Sequence, residues 1–429
     1  MNKIIISLAG VLAAAVFAPE ASALPAFARQ TGMACSACHQ QHFPVLNKFG
    51  QAFKASGYTM MGAQGKVEGE HLSIPDTLNG AILLKARYQK NNTPATPDKT
   101  SLGLKNDLGD GQLQFGDELS LFFGGRVGEN IGFLFEGNTV GSPLMAGIKM
   151  PVMFDVGSAR LSVIPFSTDA LSVQYGYELS SGGVMRANRW AEHRRETSAV
   201  QYNADQSIDG TNGGAATGVS LVAQNDIGYI NYTKWSPNFA MGGNGSGIES
   251  YDMSSSYFRA AVTPDVGNWA LVAGFGVMGG ESLITDAAAV SPAVASLVET
   301  KQTFADFQAH GAIGENELGV YAQYAKAPVA TATGATSAYG AGVTDRKAFT
   351  LGADYSVIPH VLHIGAAYRN AQNGAASDVN GDNAITLTAV YDLALNVALH
   401  ANYSKYSGSS RNAANAETNR YTLLLEAAW

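Results

Sequence analysis

Charged side chains are scarce in this chain: Asp, Glu, Lys and Arg make up 14% of its 429 residues, against roughly 25% in an average soluble domain. The ordinary charged surface of a soluble globule is therefore missing. Cysteine is almost absent, with two in all, which excludes a multi-bridge disulfide scaffold. Beyond the first two dozen positions no apolar run reaches the roughly 18 residues that a membrane-spanning helix needs, so helical membrane proteins are excluded and membrane β-barrels are not. Basic residues are outnumbered 27 to 35, a net charge of −8, the wrong sign for a chain that grips nucleic-acid phosphates. What is present in quantity is apolar surface, 46% of residues, and 48 glycines. That much apolar surface excludes disorder.

The first 23 residues have the layout of an export signal. Lys3 supplies the positive start, Ile4 to Ala18 is apolar, and Ala21-Ser22-Ala23 is a small-residue cleavage pattern. Residues 1–23 are therefore expected to be a signal peptide, residues 24–75 a small N-terminal domain, and residues 76–429 a second domain of different character.

In that second domain, segments with period-two alternation recur between clusters of Gly, Asn, Asp, Pro and Ser, as strands do. Sixteen are counted: 80–90, 113–124, 129–139, 150–164, 169–178, 216–224, 226–236, 254–263, 266–276, 302–311, 315–326, 347–357, 361–370, 383–392, 395–404 and 420–429. Phe349, Leu351, Ala353, Tyr355 and Val357 alternate with Thr350, Gly352, Asp354 and Ser356, giving one apolar and one polar or small face. Tyrosine recurs near the apolar segments' ends, at Tyr175, Tyr177, Tyr324, Tyr355, Tyr368, Tyr391 and Tyr403, as in the aromatic girdles of membrane barrels. Short connections (Phe166 to Thr168, Asn225 to Asp226, Pro264 to Asp265, Pro359 to His360) alternate with long ones. This is the pattern of outer-membrane barrels, and it predicts long loops outside and both termini in the periplasm. The last strand places Tyr421, Leu423, Leu425, Ala427 and Trp429 on one face. The expected fold is all-β: a sixteen-stranded antiparallel transmembrane barrel, in contact with outer-membrane lipid, carrying a small N-terminal helical segment.

If the apolar face meets lipid, the lumen carries Glu118, Glu136, Asp155, Glu178, Asp306, Glu317, Asp354 and Glu426 with His310, His363 and His400. An acidic, hydrated lumen follows, either ordinary channel wetting or a path for cations. The stretch Arg186, Arg189, Trp190, Glu192, His193, Arg194 and Arg195 falls in the long connection 179–215. It is expected to be a solvated surface loop, with inward folding or binding of mineral or an anionic surface as alternatives.

Both cysteines lie in Cys35-Ser36-Ala37-Cys38-His39, the spacing of covalent c-type haem attachment: two thiols form thioethers and the adjacent imidazole ligates the iron. A redox or disulfide Cys-x-x-Cys would leave His39 without a role. One covalent haem c is expected on Cys35 and Cys38, with His39 as the proximal ligand. Pro44 suits a first helical position and Gly57 a position just past a helix end, and Val45, Phe49 and Phe53 recur every four residues, so Phe49 and Phe53 can lie on the porphyrin. For the sixth ligand, His42 is too close to His39. Met60 is the first candidate, with Met61 and His71 as alternatives. Arg29 and Thr31 are candidates to hydrogen-bond the haem propionates, or are solvated loop residues.

The run Pro25-Ala26-Phe27-Ala28-Arg29-Gln30-Thr31-Gly32, followed by Cys35-x-x-Cys38-His39, Pro44-x-Leu46, Phe49-Gly50, Phe53-Lys54 and Gly57-Tyr58, resembles the fused monohaem cytochrome–porins of iron-oxidising bacteria. The resemblance implies an outer-membrane oxidoreductase that takes electrons from extracellular Fe(II) and passes them through a single haem to a periplasmic electron-carrier cytochrome. Two other readings are open from sequence: a porin or metal-uptake channel with a haem gate or sensor, and a reductase of extracellular acceptors.

Overall fold

The computed structural model describes residues 25–40, 44–94, 108–139, 145–180, 183–204, 214–239, 253–285 and 295–429; the leader, 1–23, and His42 lie outside them. The described residues form sixteen antiparallel barrel strands. In chain order these are Gly80–Asn91, Gln112–Gly128, Ile131–Asn138, the split strand Met145–Lys149 and Val152–Val156, Ala159–Thr168, Ala216–Gln224, Gly228–Ser236, Ser255–Val262 with its extension Asp265–Val266, Trp269–Gly279, Gln302–Ile313, Asn316–Ala327, Arg346–Ile358, Leu362–Asn373, Asn383–Ala394, Val397–Ser407 and Asn419–Ala428. Each pairs with its neighbours in sequence, and the last pairs with the first, closing the cylinder. Closure is sealed at the chain end, where Trp429 N donates to Ile82 O at 3.0 Å and Ile82 N to Trp429 O at 2.8 Å. A closed sheet leaves no unpaired edge, the condition for β-structure in lipid.

The period-two pattern sorts side chains as expected. Phe349, Leu351, Ile364, Tyr368, Leu387, Leu423 and Leu425 point outward and are exposed, while Thr350, Asp354, His363, Arg369, Thr386 and Leu424 point inward and are buried. A cylinder with large apolar side chains outside and polar ones inside is the inverse of a soluble barrel, and it fits a hydrocarbon surround. Tyr403 and Tyr421 pair across adjacent strands on this outer face, ring centroids 4.8 Å apart. Connections of a few residues (129–130, 157–158, 314–315, 395–396) alternate with longer ones.

The fourth and fifth strands depart from expectation. The segment 150–164 is not one strand: it contains the end of the fourth, a turn at Gly157–Ser158 and most of the fifth, which runs on to Thr168. The apparent turn at 166–168 is strand. Gly157 takes φ +61, which only glycine adopts freely, so the reversal belongs there. Pro151 has no N–H to give the ladder and marks the break in the fourth strand. The segment 169–178, expected as a strand, is the start of a loop that folds into the lumen, so Tyr175 and Tyr177 are buried inside and not at the lipid interface. The solvated-loop expectation falls with it for the described residues 183–204. Val173, Val184, Met185, Ala199, Val200 and Tyr202 of this inner loop pack on Trp235, Tyr257, Met278, Phe304 and Tyr339 of the barrel side. The core of the molecule is therefore inside the barrel.

The N-terminal segment plugs the short-turn end. It comprises helix α1 (Pro25–Thr31), a turn of 3₁₀ helix at Cys35–Ala37, helix α2 (Lys48–Ala55) and a hairpin, Lys66–Gly69 with Leu72–Pro75. Helix α2 starts at Lys48, not Pro44, because Asn47 caps it: its Oδ1 accepts from Gly50 N at 2.9 Å. It ends as expected at Gly57, φ +62, with Gly57 N donating to Lys54 O and Tyr58 N to Phe53 O, the paired bonds of a Schellman motif. Lys48 Nζ reaches Asp265 at 3.1 Å and Thr263 O at 2.9 Å. Gln224 Nε2 donates to Ala55 O at 2.9 Å, and Gln40 Nε2 to Gly311 O at 3.1 Å. Gly132 is so close to the plug that an added Cβ would stand 1.7 Å from Gly57 O.

Candidate functional site

The Cys-x-x-Cys-His segment is held by its own backbone and by α2. Cys38 N and His39 N both donate to Cys35 O, at 3.0 and 2.9 Å, and Asn47 N donates to Cys38 O at 3.0 Å. The Asn47 side chain adds Nδ2 bonds to Ser36 O at 3.2 Å and Ala37 O at 3.1 Å. A Cβ on Gly50 would stand 2.1 Å from Cys38 O, so only glycine lets α2 lie directly on the motif. Cys35 and Cys38 are both half-buried and are not joined by a disulfide. Burial and the neighbouring Cys35 push the Cys38 thiol up.

Cys35, Cys38 and His39 face a cavity of about 540 Å³, within the roughly 300–1,000 Å³ of small-molecule and cofactor sites. From the plug, Phe27, Thr31, Leu46 and Phe53 line it; from the barrel wall, Leu83, Arg87 and Phe122; from the inner loop, Tyr175, Met185, Arg186, Arg189 and Arg194. Phe27, Phe53 and Tyr58 form one aromatic cluster, with Phe27 stacked on Tyr58 at 5.1 Å and edge-on to Phe53 at the same distance.

Of the residues singled out from sequence, Cys35, Cys38, His39, Phe53 and Thr31 meet at this cavity. Phe49 does not; it is exposed on the other side of α2. Arg29 is also elsewhere: its guanidinium donates to Gly80 O at 2.5 Å and ties α1 to the start of the first strand. Met60 lines a separate cleft between α2 and the short turns, beside Asp155, Asp226 and Asp265. Met61 does not line the cavity, and His71 is almost fully exposed at the tip of the N-terminal hairpin. Asn47, Met185, Arg186 and Arg189 are the residues that spacing did not single out for this site.

The lumen is not simply acidic, because many of its carboxylates are matched by cations. Lys85 Nζ, 1% exposed, lies 2.9 Å from Glu118, 3.5 Å from Glu426 and 3.7 Å from Glu192. Arg87 pairs with Asp117 at 2.8 Å and Glu192 at 3.2 Å. Glu178 is on the inner loop, not on a strand; it meets Arg259 Nε at 2.6 Å and accepts from the Tyr229 hydroxyl. Asp155 stands at the short-turn rim, paired with Arg160. Burial alone would raise Glu192, but Arg194, Lys85 and Arg87 overcome it and hold its carboxyl well below the usual range. His193 sits between the hydroxyls of Ser404, at 2.6 Å, and Thr422, at 2.7 Å, and burial lowers it to about 4. Among the described residues, no group of three or more His, Cys, Asp or Glu is arranged to hold a metal ion.

Fold and lumen together define a plugged, porin-like β-barrel of the outer-membrane type. No family model and no curated relative matches the chain. Among solved structures, OprB of Pseudomonas putida aligns with a TM-score of 0.53 at 9% identity, over 82% of this chain and 94% of that one. The anion-selective porin of Comamonas acidovorans aligns at 0.46 and 15% identity over 82% and 99%. OmpT of Vibrio cholerae aligns at 0.46 and 11% over 85% and 100%. The likeness to OprB is one of fold alone.

Proposed function

We propose that the chain is an outer-membrane electron-transfer protein that oxidises extracellular Fe(II) and hands the electron, through one covalent haem c, to a periplasmic carrier. The observation that carries this reading is the placement of Cys35, Cys38 and His39 together on a cofactor-sized cavity between plug and barrel. The residues there fit a haem: two thiols and an imidazole from consecutive motif positions, with Phe27, Leu46 and Phe53 as apolar wall. Bound there, the haem would supply a one-electron iron couple.

The chain's own contributions follow from the geometry. Cys35 and Cys38 would hold the porphyrin by thioethers and His39 would ligate its iron. Asn47 and Gly50 keep the motif against α2, and Phe27 and Phe53 exclude water from one side. Fe(II) as substrate is the donor that the resemblance of residues 25–58 to cytochrome–porins implies. The plug occupies the short-turn end, which in outer-membrane barrels is the periplasmic one, so a periplasmic carrier would meet it across the cleft between α2 and the turns at 157–158 and 225–226. An insulating membrane makes such a bridge useful, because ferric product is then left outside the cell. The porin reading fits the fold as well; the plug and inner loop in the described lumen favour the electron-transfer reading over an open diffusion channel.

The test is an anaerobic absorbance spectrum of the oxidised, detergent-solubilised protein, matured in a host competent for c-type haem attachment, before and after Fe(II). Sharp ferrous c-type bands that grow in on mixing are expected, and His39→Ala should alter the spectrum. A haem that dithionite reduces and Fe(II) does not would remove Fe(II) as donor; a chain with no covalent haem would sink the whole reading.

A further inference from the structure

Two cations in the cavity wall are left over by the proposed function. Of the arginines there, Arg87 is matched by Asp117 and Glu192, and Arg194 lies 3.3 Å from Glu192. Arg186 and Arg189 form no ion pair among the described residues, and Arg186 Nε and Arg189 Nη1 are buried without a hydrogen-bond partner there. Both belong to the inner loop, on or just after its 3₁₀ turn Val184–Arg186, and both line the cavity with Cys35, Cys38 and His39. Glu118 and Glu136 favour the charge of Arg186 from a distance, and Glu118 is already engaged by Lys85.

Burial, followed by the repulsion of Arg194 and Arg189, lowers Arg186 well below the usual guanidinium range, and burial and Arg194 lower Arg189. Buried guanidinium groups with unused N–H bonds are costly unless a carboxylate or phosphate completes them. A cavity that presents two of them calls for a ligand with two anionic groups. It must also be apolar elsewhere, since Phe27, Leu46 and Phe53 form the facing wall. The haem attached at Cys35 and Cys38 has that chemistry: an apolar macrocycle with two propionates, each suited to a two-pronged arginine contact.

We propose that Arg186 and Arg189, on the barrel's inner loop, bind the haem propionates, so that the cofactor joins plug to barrel. This rests on the haem reading above. Arg29, the sequence candidate for that role, is used instead on Gly80 O. Two guanidinium charges beside the propionates favour the ferrous state, which has one positive charge fewer at the iron, and so raise the midpoint potential.

The experiment compares full-length protein with the Arg186→Gln/Arg189→Gln and Arg186→Lys/Arg189→Lys variants, by spectroelectrochemical titration and by the propionate bending band in the resonance Raman spectrum. The double Gln variant is expected to lower the midpoint potential and shift the propionate band. The double Lys variant should restore most of the potential but not the two-pronged hydrogen bonding that the Raman band reports, and Arg29→Gln should change neither. Unchanged potential and propionate band in a double Gln variant that carries covalent haem would overturn the assignment, with the haem reading intact. Wild type without covalent haem on a denaturing gel would overturn both. Heat-modifiable gel mobility reports whether each barrel is folded; should the double variant not fold, the single Arg186→Gln and Arg189→Gln variants must each shift the potential downward, and no shift in either overturns the proposal.

Discussion

At the scale of single residues, the most local feature was the most legible. Cys35, Cys38 and His39 are bound to each other by covalent spacing, so no tertiary knowledge was needed to group them. Asn47 is different in kind: spacing pointed to Pro44 as the helix start, and only the fold shows Asn47 capping α2 at Gly50 N while the same side chain holds Ser36 O and Ala37 O of the motif. Asn47→Ala should remove cap and clamp together and destabilise the plug by about 1–2 kcal/mol, measured as a lower denaturant midpoint for the plug. His193 carries a pH dependence. Its folded value of about 4 lies below the ordinary unfolded value of about 6.5, so above pH 6.5 both states are neutral and nothing is lost. As pH falls from there toward 4 only the unfolded form takes up the proton, and the inner loop loses up to about 3 kcal/mol. Glu196, held at about 2 by His193, Arg369 and Arg420 against the upward pull of burial, loses stability in the same direction as pH falls, but only below its ordinary 4.5 or so. The window from pH 6.5 to 4.5 is therefore set by His193 of the two. Hydrogen exchange of residues 184–204, corrected for intrinsic rates, should quicken at pH 5 relative to pH 7, and His193→Gln should flatten that difference.

Among elements, alternation identified the barrel strands because one face meets lipid and the other a packed lumen, and a one-residue error would turn every side chain over. It failed where a different structure imitates it. Val173, Tyr175 and Tyr177 alternate as a strand would, yet they lie in the inner loop, and Pro165 sits in a strand whose carbonyl there accepts from Met150 N at 3.1 Å. Periodicity reports that alternate side chains have different surroundings; it does not report whether the apolar surround is lipid or the inside of the same barrel. The fit between plug and wall is likewise a property of two elements distant in sequence. Gly132→Val would drive a side chain into Gly57 O and should unseat the plug without unfolding the barrel. The expected result is faster protease cleavage of residues 25–75 with unchanged heat-modifiable mobility of the barrel; equal protection would show that the plug is not held at Gly132.

For the whole molecule, the described lumen is filled from one end by the plug and in its middle by the inner loop, so the barrel should behave as a poor channel. In planar bilayers its conductance is expected to be far below that of an open barrel of sixteen strands, and to rise in Gly132→Val; large, steady conductance in the wild type would put the diffusion-porin reading in first place. From sequence alone came the all-β barrel class, the lipid-facing side of most strands and the Cys35-Cys38-His39 motif, because each is written in spacing of at most a few residues; the count of sixteen strands agreed only because merging two strands within 150–164 was offset by counting 169–178 as one. Only the tertiary structure decided that residues 169–180 and 183–204 turn inward, that Lys85, Arg87 and Arg259 match the carboxylates of Glu118, Glu192, Glu426, Asp117, Glu178 and Asp306, and that Arg186 and Arg189 share a cavity with the motif some 150 positions earlier. Those facts depend on which side chains remain unpaired once the cylinder closes, and closure brings together residues whose separation along the chain carries no signal of their meeting.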